Sequence, residues 1–318
     1  MSLKLFSGTA NPDLSKDVAK TLSLGLAKSQ VTRFDNSEVR VWIEEDVKHD
    51  ICVVIQSTSN PTDTNLMELF LTCDALRREE ARKVIGIIPY FGYARQDIQH
   101  RTGECVSANV VIKFLEAIGF NKIYTINLHD EATEGVFTIP FKNLSAFPII
   151  AKEIKKYFEK KGIKVNTDNI AIISPDQGGI ERARKFGTEL FGTDAFQLVL
   201  TEKKRDLEHI HESRALNLYG DVKDKIAVIV DDVSTSGGTL INSANICLEK
   251  GAKSIVASII HSDFAKDTPK KIQNSQIEAF FTTDTIKLSE DQKFEKLHIC
   301  SVAGLIAKEL ERFPNIRP

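Results

Sequence analysis

The chain has 318 residues, of which 42% are hydrophobic, and its formal net charge at pH 7 is −2. This length suits one or two α/β domains, and the balanced charge excludes a general attraction to nucleic acid or anionic membrane. No apolar run is long enough to span a membrane, the start is unlike a signal peptide, and the five cysteines lack metal-ligand spacing, so a cytoplasmic protein is expected.

Taken in chain order, short β-rich runs alternate with helical segments. The predicted strands are Ile51–Ile55, Val84–Ile88, Lys122–Ile126, Ile170–Ile173, Ile226–Val230, Ser254–Ile260 and Ala279–Thr282. Apolar residues from Leu66 to Leu76 follow helical spacing, and a later helix begins near Thr239 and ends at Gly251. This alternation predicts parallel sheets with right-handed crossovers.

The most informative stretch is Ile226–Leu240, in which a buried strand is followed by two carboxylates, a loop of small residues and a helix. The loop residues are Ser234, Thr235, Ser236, Gly237, Gly238 and Thr239. Their amides and hydroxyls, with the positive end of the helix, suit a phosphate monoester, while Asp231 and Asp232 suit the vicinal hydroxyls of a ribose. An ordinary strand-to-helix turn with solvated carboxylates is the alternative, but it leaves the complete pattern unexplained.

This stretch resembles the phosphoribosyl-diphosphate-binding signature of type I phosphoribosyltransferase-like folds, and further motifs narrow the family. They are LFSGTANPDL (Leu5–Leu14), QSTSNPTDTNLMEL (Gln56–Leu69), DALRR (Asp74–Arg78), IPYFGYARQD (Ile88–Asp97), LHDEATEGVF (Leu128–Phe137), SPDQGGIERAR (Ser174–Arg184) and TDTI (Thr283–Ile286). Their order is similar to that in ribose-phosphate diphosphokinases, which make phosphoribosyl diphosphate and AMP from ribose 5-phosphate and ATP.

The resemblance implies an α/β fold of two similar phosphoribosyltransferase-like domains, each a mainly parallel sheet flanked by helices. Val53–Leu66 loosely parallels Val228–Leu240, as in a duplicated fold whose first copy has lost the sugar carboxylates. We expect an N-terminal domain at 1–146, with nucleotide-contacting segments, and a C-terminal domain at 147–318, with the ribose 5-phosphate loop. The expected partners are ATP and ribose 5-phosphate, without nucleic acid or membrane.

The resemblance also implies the catalytic and metal-binding residues. The family's catalytic Lys-x-Arg maps onto Lys203 and Arg205, at the start of a polar stretch whose composition suits a mobile lid. Its Mg²⁺ positions map onto Asp176, which is convincing on chemistry, and His129, which only the resemblance supports because imidazole is an uncommon magnesium ligand. Within the polar stretch, His209 and His211 are expected to be solvent-exposed rather than metal ligands.

The nucleotide site is where the chain departs from the family pattern. The matching ATP-binding positions are Phe34, Asn36, Glu38, Arg95 and Gln96. The resemblance implies that a neighbouring subunit contributes the segment with Phe34, so a homo-oligomer, a dimer or hexamer, is expected. Asn36 replaces the usual Asp, and the basic pair that follows Arg-Gln-Asp is replaced by Ile98 and Gln99. Thr235 also replaces an Asp, which gives the loop the look of a phosphoribosyltransferase.

These departures leave two alternatives to a Mg²⁺-dependent diphosphokinase. One is a catalytically weak or regulatory subunit of the same fold, favoured by Asn36, Ile98 and Gln99 but opposed by Lys203 and Arg205. The other is a phosphoribosyltransferase, which the residues N-terminal to the loop oppose. The phosphoryl donor and the oligomer number stay open at this point.

Overall fold

The computed structural model describes residues 2–99, 101–203 and 215–313, and these form two compact units. The first unit contains the residues up to Ser145, together with Thr285–Lys287 and the residues from Ser301 on. The second contains Ala146–Asp284 and Leu288–Cys300. Each unit is an α/β structure, as predicted.

The first unit is built on a parallel sheet in the order β1-β4-β5-β6-β7, beside a separate β2-β3 hairpin. Its strands are β1 Leu3–Ser7, β2 Ser29–Arg33, β3 Val39–Ile43, β4 Ile51–Ile55, β5 Lys83–Ile88, β6 Lys122–Ile126 and β7 Phe141–Leu144. Its helices before the second unit are α1 Pro12–Thr21, α2 Thr62–Arg78 and α3 Ser107–Ile118. All five residues of β4 are buried, which explains its uninterrupted apolar run, since a central parallel strand is covered on both faces.

The second unit contains a mixed sheet in the order β10-β9-β8-β11-β12-β13-β14, in which only the β9-β10 pair is antiparallel within the described residues. Its strands are β8 Ile170–Ser174, β9 Leu198–Lys203, β10 Ala215–Tyr219, β11 Ile226–Ser234, β12 Ser254–Ser262, β13 Ile277–Thr283 and β14 Leu297–Cys300. Its helices are α4 Phe147–Lys160, α5 Ile180–Phe191, α6 Gly238–Glu249 and α7 Thr268–Gln273. The parallel strand β11 lies between β8 and β12.

The last helix, α8 (Ala303–Leu310), belongs with the first unit, where it packs against α1. Ile306 and Leu310 are fully buried. Glu309 forms a salt bridge with Lys142, in which Oε2 lies 2.6 Å from Nζ. The predicted domain limits, 1–146 and 147–318, stay a prediction. The compact units divide between Ser145 and Ala146, and they also place Thr285–Lys287 and the residues from Ser301 on in the first unit.

Every strand predicted from an apolar run is present, with limits that differ by at most four residues at either end. The largest difference is at β11, which continues beyond Val230 to Ser234. The predicted helices are also present, as α2 and α6, and Gly251 after α6 has a φ of 89°. Within the described residues, no helix combines the length and apolar character that crossing a membrane requires.

Candidate functional site

The predicted carboxylate pair lies at the carboxyl end of β11, in the middle of the second sheet. Residues Ile226–Val230 are all buried, and parallel pairing with β8 and β12 holds the strand on both sides. Ligands of open α/β sheets bind beyond the carboxyl ends of such strands. Asp231 and Asp232 therefore lie at the edge where the topology of the unit favours a ligand site.

Arg182, in the first turn of α5, pairs with both carboxylates. Its Nη1 lies 2.7 Å from Asp231 Oδ1 and 3.1 Å from Asp232 Oδ1. Burial, followed by the negative charge of Asp232, raises the pKa of Asp231 well above its ordinary value, and Arg182 only partly opposes this shift. The sequence reasoning missed Arg182, and its place after the Gly-Gly turn of SPDQGGIERAR was the signal that could have indicated it.

Asp176 lies beside this group, at the turn that precedes α5. Its Oδ1 accepts a hydrogen bond from the Gly179 N–H at 2.9 Å, while the side chain remains exposed. A Cβ built on Gly179 would lie 3.4 Å from Arg182 Nη1 and 3.5 Å from Asp176 Oδ1, so both charged groups converge on this glycine. The same Cβ would lie only 2.8 Å from Ser174 Oγ, so position 179 has no room for a side chain.

No three His, Cys, Asp or Glu side chains in the described ranges gather closely enough to hold a metal ion. The nearby carboxylates of Asp176 and Asp231 nevertheless provide the hard oxygen donors that Mg²⁺ prefers. Magnesium commonly completes its coordination with water and substrate phosphates, so this chemistry fits the ion in a substrate complex better than in a protein cage.

The phosphate-sized loop leads from β11 into α6. Gly237 adopts the left-handed conformation, with φ at 72°, and α6 begins at Gly238 without a side-chain cap and without an acidic residue in its first turn. Ser236 and Gly238 are exposed. The amino end of α6 is thus not neutralised by a carboxylate of its own first turn, as expected for a helix end that accepts an anion.

Ser234 differs from its predicted place in the loop, because it is the last residue of β11. It pairs in register with Ser262 of β12 and is buried. Its Oγ has no hydrogen-bond partner within the described residues. Its assignment to ribose 5-phosphate binding stays a prediction, and its place in the strand sets it apart from the exposed loop residues.

The predicted nucleotide segment of the first unit, Phe34–Glu38, is the turn of the β2-β3 hairpin. The Phe34 N–H donates to the Glu38 carbonyl at 2.9 Å, and Asn36 Oδ1 accepts from the Glu38 N–H at 3.2 Å. Phe34 is 54% exposed. Asn36 therefore stabilises the turn through an oxygen acceptor, which an aspartate would also provide.

Arg95 and Gln96 lie at the end of a turn that begins at Gly92, where an added Cβ would lie 2.3 Å from the Thr58 carbonyl. Both side chains are exposed. The Gln96 carbonyl accepts from the Ala108 N–H at 3.1 Å, which holds the segment against the amino end of α3. The structure thus places Arg95 and Gln96 on a surface segment whose backbone is anchored.

His129 and Lys203 lie near the ends of strands in different units. His129 is half-buried after β6, where the preceding N–H of Leu128 donates to Asn143 Oδ1 at 3.0 Å. Lys203 is the last residue of β9. Arg205, His209 and His211 lie outside the described residues, so the predictions for them are untested.

Comparisons with known proteins cover the whole chain. A family model described as the N-terminal domain of ribose phosphate pyrophosphokinase matches residues 3–119, and one described as the phosphoribosyl synthetase-associated domain matches residues 195–317. A ribose-phosphate pyrophosphokinase from Fusobacterium nucleatum is 35% identical over 99% of this chain and 96% of the relative, and one from Bacillus subtilis is 36% identical over 98% and 94%. The chain belongs to the ribose-phosphate pyrophosphokinase family.

A solved structure extends the comparison with this pyrophosphokinase family to three dimensions. The phosphoribosylpyrophosphate synthetase from Mycobacterium smegmatis is similar with a TM-score of 0.88 and 29% identity, over 98% of each chain. The predicted family, fold class and enzyme class are confirmed. The residues assigned to substrates and metal stay predictions.

Proposed function

We propose that this chain transfers the diphosphoryl group of ATP to the anomeric hydroxyl of ribose 5-phosphate, giving phosphoribosyl diphosphate and AMP. The observation that carries the proposal is identity of 35% to 36% with relatives named ribose-phosphate pyrophosphokinase, over nearly the whole of both chains. The conformation of the β11–α6 connection supports it, because a positive-φ glycine and an uncapped helix end suit a phosphate.

Ribose 5-phosphate would bind with its phosphate at residues 235–239 and its vicinal hydroxyls at Asp231 and Asp232. Hydroxyl groups donate to carboxylates in short, charge-assisted hydrogen bonds. Arg182 already contacts both carboxylates, so it fixes their position before the sugar arrives. A preformed acceptor pair reduces the entropy that is lost when the sugar binds.

Mg²⁺ bound to the triphosphate would neutralise its negative charge, and Asp176 and His129 are the residues assigned to hold the ion. The anomeric oxygen attacks the β-phosphorus, its proton is released, and the bond from that phosphorus to the oxygen of the departing AMP breaks. Lys203 and Arg205 would stabilise the charge that develops on the phosphoryl oxygens, which is the main contribution a protein makes to such a transfer.

The nucleotide is proposed to bind at Arg95 and Gln96 of one subunit and at the Phe34–Glu38 turn of a neighbouring subunit. The exposed Phe34 ring supports this arrangement, because a large aromatic side chain at a hairpin tip can stack on a base. A mixture of Phe34→Ala and Lys203→Ala chains tests it. Subunit exchange should restore activity if the site is shared, whereas each variant alone should be weak; no recovery in mixed oligomers would contradict sharing.

The decisive experiment for the function is incubation of the purified chain with ribose 5-phosphate, Mg²⁺ and each of several nucleoside triphosphates. We expect phosphoribosyl diphosphate and AMP in equal amounts when ATP is the donor. Omission of ribose 5-phosphate controls for hydrolysis of ATP. If no triphosphate gives phosphoribosyl diphosphate, the chain is a catalytically weak or regulatory member of the family instead.

A further inference from the structure

The segment that follows β12 holds the backbone of the β11–α6 loop. The Thr235 carbonyl accepts two hydrogen bonds from it, one from the Ala265 N–H at 3.0 Å and one from the Thr268 hydroxyl at 2.6 Å. Thr268 is 1% exposed. A loop carbonyl is therefore held by two donors in a part of the chain that the assigned site residues do not include.

This contact determines the direction of the next amide. In a trans peptide the carbonyl and the following N–H point in opposite directions. With the Thr235 carbonyl directed towards Ala265 and Thr268, the Ser236 N–H is directed away from them. A reversal of this peptide plane would present a carbonyl where the proposed anion needs a donor.

The methyl group of Thr268 limits the space beside the next residues of the loop. A Cβ built on Gly237 would lie 3.3 Å from Thr268 Cγ2, and Gly237 has a positive φ that favours glycine. The methyl group therefore leaves little room for a side chain at position 237, while the hydroxyl makes the hydrogen bond that holds the loop.

Thr268 is itself fixed in place. Its N–H donates to the Ala265 carbonyl at 3.0 Å, and Ile272, one turn further along α7, is fully buried. At the other end of the segment, the Phe264 ring packs 5.7 Å from Phe280 and 6.2 Å from Phe294, measured between ring centroids. Because both ends are anchored in the core of the second unit, the segment is a firm support.

We propose that Thr268 is a positioning residue that holds the β11–α6 loop in the conformation that binds the phosphate of ribose 5-phosphate. The proposal rests on the proposed function, which assigns that substrate to the loop. Thr268 itself is not expected to contact the substrate. It acts through the Thr235 carbonyl and lowers the cost of ordering the amides around the anion, so its effect belongs to binding rather than to the chemical step.

The test compares Thr268→Val, which keeps the shape but removes the hydroxyl, with Thr268→Ser, which keeps the hydroxyl. The matched control is Thr72→Val, since the buried Thr72 hydroxyl donates to the Glu68 carbonyl at 2.8 Å within the first unit. Calorimetry should show that Thr268→Val weakens ribose 5-phosphate binding by about five- to tenfold, the size expected for one lost hydrogen bond. Thr268→Ser and Thr72→Val should bind like the unaltered chain.

Steady-state kinetics provide the second readout. For Thr268→Val, the KM for ribose 5-phosphate should rise while kcat and the KM for ATP stay nearly constant. Unchanged ribose 5-phosphate binding, or an equal rise in both KM values, would overturn the positioning role. If the unaltered chain binds ribose 5-phosphate but forms no phosphoribosyl diphosphate, the proposed function fails, and the calorimetric comparison alone decides the role of Thr268.

Discussion

Asp231 carries an electrostatic conflict at the residue scale, because it is a largely buried carboxyl beside a second carboxyl. Burial and the neighbouring Asp232 raise its pKa, while Arg182 lowers it. A carboxyl whose pKa is raised by folding binds a proton more tightly in the folded state than in the unfolded state. Its favourable contribution to stability is therefore present in acid and is lost as the pH rises through the folded pKa.

Replacing Asp231 with Asn should stabilise the ligand-free chain at high pH, because the amide cannot ionise. We expect an increase of roughly 2–4 °C in melting temperature at about pH 8, and a smaller one at about pH 5, where the native carboxyl is largely protonated. The same substitution should weaken ribose 5-phosphate binding, since an amide accepts less strongly than a carboxylate. Equal gains in stability at both pH values would contradict the assigned pKa shift.

The predicted catalytic cations are tested by Lys203→Ala and Arg205→Ala. Each should lower kcat by roughly two to three decades, because a donor that acts on the transition state in a closed site contributes about 3 kcal/mol. The ribose 5-phosphate affinity, measured by calorimetry, should change little. Lys185→Ala in α5 provides a cation-removal control outside the assigned site, and unchanged kcat in both test variants would exclude the catalytic role.

At the scale of elements, side chains of the first unit form a hydrogen-bond network around the loop that follows β4. Glu68 of α2 is 1% exposed and accepts hydrogen bonds from the Thr9 N–H at 2.7 Å, the Thr9 hydroxyl at 2.6 Å and the Gln56 amide at 3.0 Å. The Gln56 Oε1 in turn accepts from the Ala10 N–H at 3.0 Å. The segment from β4 to α2 resembles the segment from β11 to α6 in sequence. Its polar groups form hydrogen bonds that join α2 to the ends of β1 and β4.

Removing the Glu68 carboxylate, which accepts most of these hydrogen bonds, should destabilise the first unit. Glu68→Ala removes the shared acceptor of the buried Gln56 amide and the exposed Thr9, and we expect a loss of roughly 2–3 kcal/mol in the free energy of unfolding. Glu68→Gln should cost less, because the amide oxygen still accepts hydrogen bonds. Urea denaturation measures both, with Glu79→Ala as control, because Glu79 is exposed and directly follows the same helix. A cost for Glu68→Ala no larger than that of the control would show that the network does not stabilise the fold.

At the scale of the whole molecule, the departures from the family pattern predict altered regulation. In typical members, ADP and inorganic phosphate compete at a subunit-interface site that includes the loop after Arg-Gln-Asp and a Ser-rich C-terminus. Here Ile98 is 56% exposed and Gln99 donates to the Glu104 carbonyl at 2.9 Å, so this loop offers a hydrogen-bonded turn where the family has two cations. His100 and the final residues, 314–318, lie outside the described residues.

We therefore expect weak allosteric inhibition by ADP and little requirement for inorganic phosphate. A site that lacks the basic pair binds phosphates poorly, which leaves competition with ATP. Initial rates against ADP at saturating ATP measure this. Inhibition that saturating ATP does not relieve would reveal an allosteric site and contradict this expectation. A double variant, Ile98→Lys with Gln99→Lys, restores the two cations, and it should be inhibited by ADP more strongly than the unaltered chain.

The sequence by itself determined the central strands, the Asp-Asp-loop-helix unit and the family. Parallel strands covered on both faces need continuous apolar runs, which is why β4 was predicted with its observed limits. The phosphate loop was equally visible, because a left-handed position such as Gly237 favours glycine. The edge strands β1, β7 and β14 were missed because their four or five residues mix polar with apolar side chains and form no continuous apolar run.

Only the tertiary structure decided which distant residues support the site. Arg182 reaches Asp231 across 49 residues of sequence, Thr268 reaches Thr235 across 33, and Thr9 reaches Glu68 across 59. It also placed α8 in the first unit, although its sequence follows the second. Such contacts arise when strands and helices pack, and they leave no periodic pattern in the chain, because each depends on where two remote segments meet rather than on the residues beside them.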